Sequence, residues 1–494
     1  MRSLVRIALV TPLVVACIQE SADDSECTCA LAGGSAGTLA GVSGTGAGVA
    51  GVGGTAGAGG FGGAAGASAG TASGSAGAAG AGAGGVAGTA GAAGSAGAVM
   101  AGTAGTAGIA GAPTTLGPPY TFPQGYRSPH CTYPTGLDPM AAKAPYEQWK
   151  TELLTRDGAG EFLRVIRPDD ENGSTNTTVS EGIGYGMILS VVMGDQDVFD
   201  DLWKYSQTKL NERGLMHWLI FPDGTVQGQG AATDADEDMA WALVMADRKW
   251  GGSGTLDAPY IDLAKGQIQK IWDHEVDHGR GDLLLAGDSW GPVTAFNPSY
   301  FAPNQYRLFG RIMQDEAGWG RVIDKGYTVL TAGLKTEHGN LDNGLLPAWA
   351  SEGGDPSQPF ENAPTHYQYD SARIPFRIGQ DYCDYGEARA RTLLDKTSAF
   401  FSGVGASNIV DGYNLDGSPR AENTMPVGVQ SALFVGAAGV GAMSAASNLA
   451  FVDGTYQLLV TKEMLPRSRY FNLSWQVLSL LMMTGNLYDY TLVQ

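Results

Sequence analysis

Three acidic stretches hold the residue types that acid–base chemistry needs. The first, Ser180-Glu181-Gly182-Ile183-Gly184-Tyr185-Gly186, sets one carboxylic acid among three glycines and an aromatic ring. Glycine removes side chains where something bulky lies close to the backbone. The Tyr185 ring offers a flat face with a polar tip, and Glu181 can give or take a proton. The second stretch, Ala232-Thr233-Asp234-Ala235-Asp236-Glu237-Asp238-Met239-Ala240, packs four acids into one short run. The third, Tyr369-Asp370-Ser371-Ala372-Arg373, places an arginine where it can hold Asp370 ionised. A carboxyl in a glycine-aromatic setting and an aspartate beside an arginine give a protonated donor and an ionised acceptor. Cleavage of a glycosidic bond needs such a pair.

The elements that must position these groups read as helices. Met187, Ile188, Leu189, Val191 and Val192 form the buried side of one, which puts Glu181 at or near its N-terminus with Ser180 as cap. In the second stretch Thr233 is the expected cap, the acids fill the first turn where the macrodipole favours them, and an apolar stripe runs on to Trp250. Further helical patterns cover 145–154, 186–192, 198–210, 238–250, 260–272, 300–313, 318–334, 376–401, 427–449, 454–465 and 474–483, separated by connections rich in Gly, Pro, Asp and Asn. Strand-like alternation is scarce, so residues 118–494 form one large all-α domain.

Glu181 in S-E-G-x-G-Y-G, the run from Ala232 to Trp250 and Y-D-x-x-R at 369–373 together resemble glycoside hydrolase family 8. The segment Asn297-Pro298-Ser299-Tyr300-Phe301-Ala302-Pro303 and the stretch from Tyr470-Phe471 to Asn486 add to the likeness, which covers roughly 118–494 in the expected order. The resemblance implies an (α/α)6 barrel, six inner helices ringed by six outer ones with a substrate cleft across one end. It implies an inverting endo-hydrolase of β-1,4-linked glycans, most of all a cellulase acting on a β-glucan. Glu181 matches the general acid, Asp370 the general base and Asp234 a carboxylate gripping the sugar at the cleavage site. Tyr369 and Arg373 would orient Asp370 and its water, with Asp236 near the sugar and Tyr185, Trp218, Trp290 and Tyr300 contributing aromatic contacts. Xylan and chitosan are the alternative substrates; Y-D-x-x-R tips the choice towards glucan or xylan. A non-catalytic glycan-binding lipoprotein on the same fold is the alternative from another class. No cofactor is expected. A helix N-terminus lowers a carboxyl pKa where a general acid needs it raised, so like charge from Asp234 and partial desolvation must outweigh the dipole at Glu181.

The front of the chain is of another kind. No charged residue occurs from Cys27 to Tyr126, and Gly33 to Gly111 supply 31 of the 74 glycines in a degenerate Gly-Thr-Ala-Gly and Gly-Ser-Ala-Gly repeat. With almost no large apolar side chains to offset chain entropy, residues 17–117 read as a disordered spacer. Ahead of it, Arg2, Arg6 and the apolar run from Ile7 to Ala16 make an export signal over 1–16. It ends Val14-Val15-Ala16-Cys17, which resembles a lipoprotein cleavage box and would leave Cys17 lipidated. Ordinary secretion with cleavage near Ala22 is the alternative. The chain is therefore expected to be a cell-surface lipoprotein or secreted, a monomer, touching a membrane only through that anchor. In an oxidising compartment, Cys131 and Cys383 are the only cysteines in the folded part, and a bridge between them is an open expectation.

The formal net charge of -20 argues against nucleic acid as a partner and suits a neutral polysaccharide. All ten tryptophans lie beyond the spacer; Trp203, Trp241, Trp250 and Trp272, on apolar helical stripes, are expected in the core. His274-Glu275-Val276-Asp277-His278 has the spacing of a zinc-protease helix. The helix ends there, and Leu284 stands where a third histidine belongs, so a solvated helix end is expected. Asp234, Asp236 and Asp238 open like a calcium loop, but Met239 occupies the position where the turn demands glycine.

Overall fold

The computed structural model describes residues 120–169, 175–289, 295–360, 363–420, 429–465 and 468–493. Cys17 and the spacer lie outside them, as does Trp290. All the described residues belong to one compact unit. Its helices are, in chain order, α1 (Lys143–Leu153), α2 (Ser180–Met193), α3 (Gln196–Gln207), α4 (Thr233–Trp250), α5 (Tyr260–His274), α6 (Pro303–Met313) and α7 (Glu316–Ala332). They continue with α8 (Tyr369–Ala372), α9 (Ile374–Tyr385), α10 (Ala388–Val404), α11 (Ala432–Ala442), α12 (Leu449–Thr461) and α13 (Arg469–Met483).

Six of them close a ring in which each packs on the next: α2, α4, α6, α9, α11, α13 and back to α2. The helices between them in sequence form an outer layer, α3 on α2, α5 on α4, α7 on α6, α10 between α9 and α11, α12 on α11, and α1 on α13. This is the (α/α)6 barrel. Position in it explains the sequence patterns. Ring helices are covered on every face: α11 is buried throughout its length, and α2 is buried from Gly182 to Val192. Such helices are apolar all round and carry no clean stripe. An outer helix such as α3 buries one face through Val198, Phe199, Leu202 and Trp203.

The helix boundaries differ from the sequence reading in three places. The pattern over 376–401 is two helices, broken at Gly386, which takes a left-handed φ of 69°. The patterns over 427–449 and 454–465 are α11 and α12, separated by a 3-10 turn at Ala446–Asn448. The third is α2, which begins at Ser180 rather than Gly186, so the glycine motif lies within the helix. Val179 is its extended N-cap, and Ser180 caps nothing. Thr233 is likewise the first helical residue of α4, after Ala232, and not a side-chain cap.

The α2 glycines make room for neighbouring elements, not for a ligand. A Cβ on Gly184 would come within 3.0 Å of Asp238 Cβ and 3.1 Å of the Ala235 carbonyl oxygen on α4, and one on Gly186 within 2.6 Å of Leu202 on α3. The close approach of α2 to α4, which brings their acids together, requires those positions bare. Trp203, Trp241, Trp250 and Trp272 all pack in or against the core, as expected.

Residues ahead of α1 wrap the barrel and meet the C-terminus. Tyr120 donates to the Val493 carbonyl, the backbone N–H of Gln124 donates to Asn486, and the Tyr126 and Tyr488 rings stack at 4.3 Å. Cys131 and Cys383 form a disulfide that fixes this arm to α9 across a sequence separation of 252. Closing so long a loop restrains the unfolded chain by roughly 5 kcal/mol in the chain-entropy account. Reductant is expected to lower the melting temperature of the wild type and leave that of the Cys131→Ser/Cys383→Ser double variant unchanged. Equal responses in a calorimetric scan would show that the bridge carries no stability.

Candidate active site

The N-termini of the ring helices share one end of the barrel, and the acidic stretches arrive there with them. Glu181 stands in the first turn of α2, Asp234 in the first turn of α4, and Asp370 in the short α8 that leads into α9. Arg373, between α8 and α9, binds all three. Its Nη1 donates to Glu181 Oε2 at 2.7 Å, to Asp234 Oδ2 at 2.7 Å and to the Tyr185 hydroxyl at 2.9 Å. Its Nη2 donates to Ser299 Oγ at 2.6 Å and to Asp370 Oδ1 at 3.1 Å. Nη1 carries two hydrogens for three acceptors, so one hydrogen is shared. The guanidinium is fully buried, with the Tyr300 ring 5.3 Å from it and the Phe471 ring 5.7 Å away.

Glu181 and Asp370 therefore sit on the two terminal nitrogens of one planar group. Both retain an edge to solvent, with side-chain exposures of 18% and 13%. Tyr470, the second residue of α13, donates to Glu181 Oε1 from the side opposite Arg373. Its ring explains Gly182, where a Cβ would lie 3.0 Å from Tyr470 Cε2. Asp370 also accepts from Gln368 Nε2 at 3.0 Å.

Burial governs the protonation of this cluster. It pushes the Asp234 carboxyl up to about 7, Arg373 opposing and the Glu181 charge adding to the rise. It raises Asp370 as well, again against Arg373 and with the help of Asp234. Asp234 and Asp370 are thus both held towards their protonated forms beside the one cation.

The structure separates the expected site residues into two groups. Glu181, Asp234, Asp370 and Arg373 come together, and Tyr300 lies over the arginine. Tyr369 is half-buried near them, its ring against Phe471 and Phe434 and its hydroxyl donating to Asp411 at 3.1 Å. Trp218 immediately precedes a short strand, Leu219–Ile220, beside the start of α2; its carbonyl accepts from Ser180 N–H and its half-buried ring covers Gly228. Tyr185 is wholly buried among Tyr470, Phe471 and Trp475, so it serves Arg373 and presents no face to a sugar. Arg373 is equally buried and acts on the carboxyls. Asp236 is absent from the cluster. Two positions on from Asp234, it lies on another face of α4 and accepts from Gln267 Nε2 of α5 at 2.7 Å. Asp238 turns a third way, to Arg377 and Gln305, so the three aspartates do not form a loop around a cation.

Glu275 corrects the expectation of a solvated helix end. It is completely buried behind α4, its pKa raised by burial and by the neighbouring Asp236 and Asp288. His274 ends α5 while His278 lies in a separate 3-10 turn and pairs with Asp282 at 2.6 Å, so the two histidines do not share a helical face. Sequence reasoning gave no role to Ser299 or Tyr470. Both lie inside stretches it had singled out, but only the fold shows what they touch.

An acid pair held across a guanidinium at the mouth of an (α/α)6 barrel defines a glycoside hydrolase. The sequence profile described as Glycosyl hydrolases family 8 matches residues 135–485, and the chain belongs to that family. It is 38% identical over 349 residues to Endoglucanase A of Acetivibrio thermocellus, covering 70% of this chain and 69% of that one. It is 37% identical over 382 residues to Endoglucanase 2 of Ruminiclostridium josui, covering 75% and 78%. Among solved structures it superposes on an apo β-1,3-1,4-glucanase from Paenibacillus sp. X4 with a TM-score of 0.65 at 28% identity, over 75% of this chain and all of that one. It shares its fold with Rex8A of Paenibacillus barcinonensis, solved with xylose, at a TM-score of 0.59 and 21% identity over 72% of this chain and 97% of that one.

Asp234, Asp236, Glu237, Glu275 and Asp384 all have carboxyl pKa values raised by burial. Each contributes stability that is complete below about pH 4, the unfolded value, and is lost as pH rises through its folded value, about 7 for Asp234. His217, lowered by burial, acts in the opposite sense below its ordinary 6.5. Melting temperature is expected to fall between pH 5 and pH 8. Replacing the shared cation in Arg373→Met strands buried charge at a cost of about 3–5 kcal/mol at pH 8, and the loss should shrink at pH 5 where the carboxyls take up protons. A pH-independent loss would contradict the cluster's protonation.

Proposed function

We propose that the chain hydrolyses β-1,4-linked glucans within the polymer and inverts the anomeric carbon. Glu181 gives its proton to the glycosidic oxygen as the bond to C1 breaks. Asp370 takes a proton from a water attacking the opposite face of the sugar ring. The family likeness gives Asp234 the sugar at the cleavage point, but with Oδ2 on Arg373 and Oδ1 buried it acts here through its charge on the acid pair. Among the described residues, Trp218 and Tyr300 are half-buried aromatics that could stack on a sugar. The observation that carries this reading is the single guanidinium holding Glu181 on one nitrogen and Asp370 on the other. Three relatives named as endoglucanases, at 37–38% identity, support glucan as substrate. The more distant Rex8A-type enzymes, named for releasing xylose, make xylan the second substrate to test. For the outer part of the chain we propose a lipid on Cys17 and a flexible leash from 17 to 117 that lets the enzyme reach an insoluble polymer. The support is the Val14-Val15-Ala16-Cys17 box and the uncharged repeat.

Reducing-sugar release from carboxymethyl cellulose, xylan and chitosan is expected to be greatest on the cellulose. NMR of the first product should show the α-anomer from a β-linked chain. Glu181→Gln and Asp370→Asn are each expected to leave no more than a few per cent of the turnover while still binding oligosaccharide. β-Anomer as first product, or either variant keeping substantial activity, would reject the assignment. Tyr470→Phe removes the O–H that donates to Glu181 Oε1, about 0.5–1.5 kcal/mol, and is expected to lower kcat roughly 2- to 10-fold with KM little changed.

A further inference from the structure

Beneath the arginine cluster, inside the ring, lies a small cavity lined from five of the six ring helices. Tyr185 of α2, Trp241 of α4, Gln305 of α6, Arg377 of α9 and Trp475 of α13 all face it. Four of these carry a buried polar atom with no hydrogen-bond partner among the described residues: Trp241 Nε1, Trp475 Nε1, Arg377 Nε and Gln305 Oε1. Their other polar atoms are already committed. Arg377 Nη1 and Nη2 bond Asp238 at 2.5 and 2.8 Å, and Gln305 Nε2 donates to Asp238 Oδ1 at 2.7 Å. That last bond fixes the Gln305 amide and turns its carbonyl oxygen away from Asp238.

The residues that carry these three N–H donors and one carbonyl acceptor come from four helices and line one space. Left dry, each would cost about 1–3 kcal/mol in lost solvation. The cavity offers about 10 Å³ to the centre of a water-sized sphere, which is room for one water of the kind that makes two to four hydrogen bonds to buried groups. We infer that one water molecule is bound here as a fixed part of the barrel, accepting from two of the three N–H groups and donating to Gln305 Oε1. An anion would suit the donors. However, the Arg377 charge is already matched by the two-pronged bond to Asp238, and the Gln305 carbonyl would repel a second negative charge. A cation would face three N–H groups. A ligand that both gives and takes hydrogen bonds serves the Gln305 carbonyl together with the N–H donors, as neither ion does. The same water would back Tyr185, whose hydroxyl holds Arg373 on the catalytic side.

A high-resolution crystal structure of the wild type grown without halide is expected to show one peak within hydrogen-bond distance of an indole nitrogen and of Gln305 Oε1. Gln305→Met keeps the volume and removes the acceptor, and the peak should be lost. In solution, oxygen-17 relaxation dispersion should count one long-lived water fewer in Gln305→Met than in the wild type. An empty wild-type cavity would overturn the inference, as would indoles rotated onto protein acceptors. Anomalous signal at the site in bromide-grown crystals would assign it to an anion instead. A peak of unchanged height in Gln305→Met would remove the part given to the carbonyl. The wild-type arms decide the question even if the variant fails to fold.

Discussion

One buried guanidinium governs this molecule. Arg373 has no contact with solvent, and five side chains from α2, α4, α8 and the turn before α6 accept its hydrogen bonds. A charge so placed is tolerable only because opposite charge and hydrogen bonds surround it, and each carboxyl around it is tolerable only because of the arginine. The arrangement is mutual. Removing the cation leaves three acids facing one another across an apolar space, and removing an acid leaves the cation short of a partner. The site's geometry and its charge state therefore rest on the same set of contacts.

The barrel makes such a cluster possible. Ring helices that start at one end bring several sets of unsatisfied N–H groups and partial positive charge to a single surface, which favours anionic side chains there. Desolvation works against that preference, and the raised values of Asp234 and Asp370 show burial to be the larger effect. Asp234, pushed up to about 7, owes the rise first to depth and then to the Glu181 charge beside it, against the pull of Arg373. The bare positions along α2 serve the same end. With Gly184 against α4 and Gly182 against the Tyr470 ring, the helices approach closely enough for one arginine to span their acids.

Much of this was legible in the chain. The acids at 181, 234 and 370 were marked by their company, and an α-rich barrel followed from the recurring helical patterns together with the family likeness. Other features were hidden for physical reasons. Tyr185 reads as a binding aromatic because nothing in a heptapeptide tells which helices will cover it. Asp236 stands two residues from Asp234 in the same acidic run, and the angular step along α4 sends it to Gln267 instead of Arg373. Glu275 looked solvated because it ends a helix, yet its side chain turns under α4. The break at Gly386 was missed because good helix formers resume at once in Glu387-Ala388-Arg389, and the ends of α11 shifted because a helix covered on every face shows no stripe to mark its ends. The contacts of Ser299 and Tyr470 join segments far apart in sequence, and no spacing rule reaches across such distances.

The ring is completed by α13 packing on α2, and α13 also brings Tyr470 to Glu181. The first and last ring helices are thus neighbours in space while standing at opposite ends of the folded sequence. During synthesis, the nascent chain has no closing helix until residue 483 has left the ribosome, and every earlier length of it has α2 with one flank uncovered. Such long-range closure slows folding. It also means that the acid at 181 acquires its second partner only as α13 docks, so the site is assembled by the same step that closes the ring.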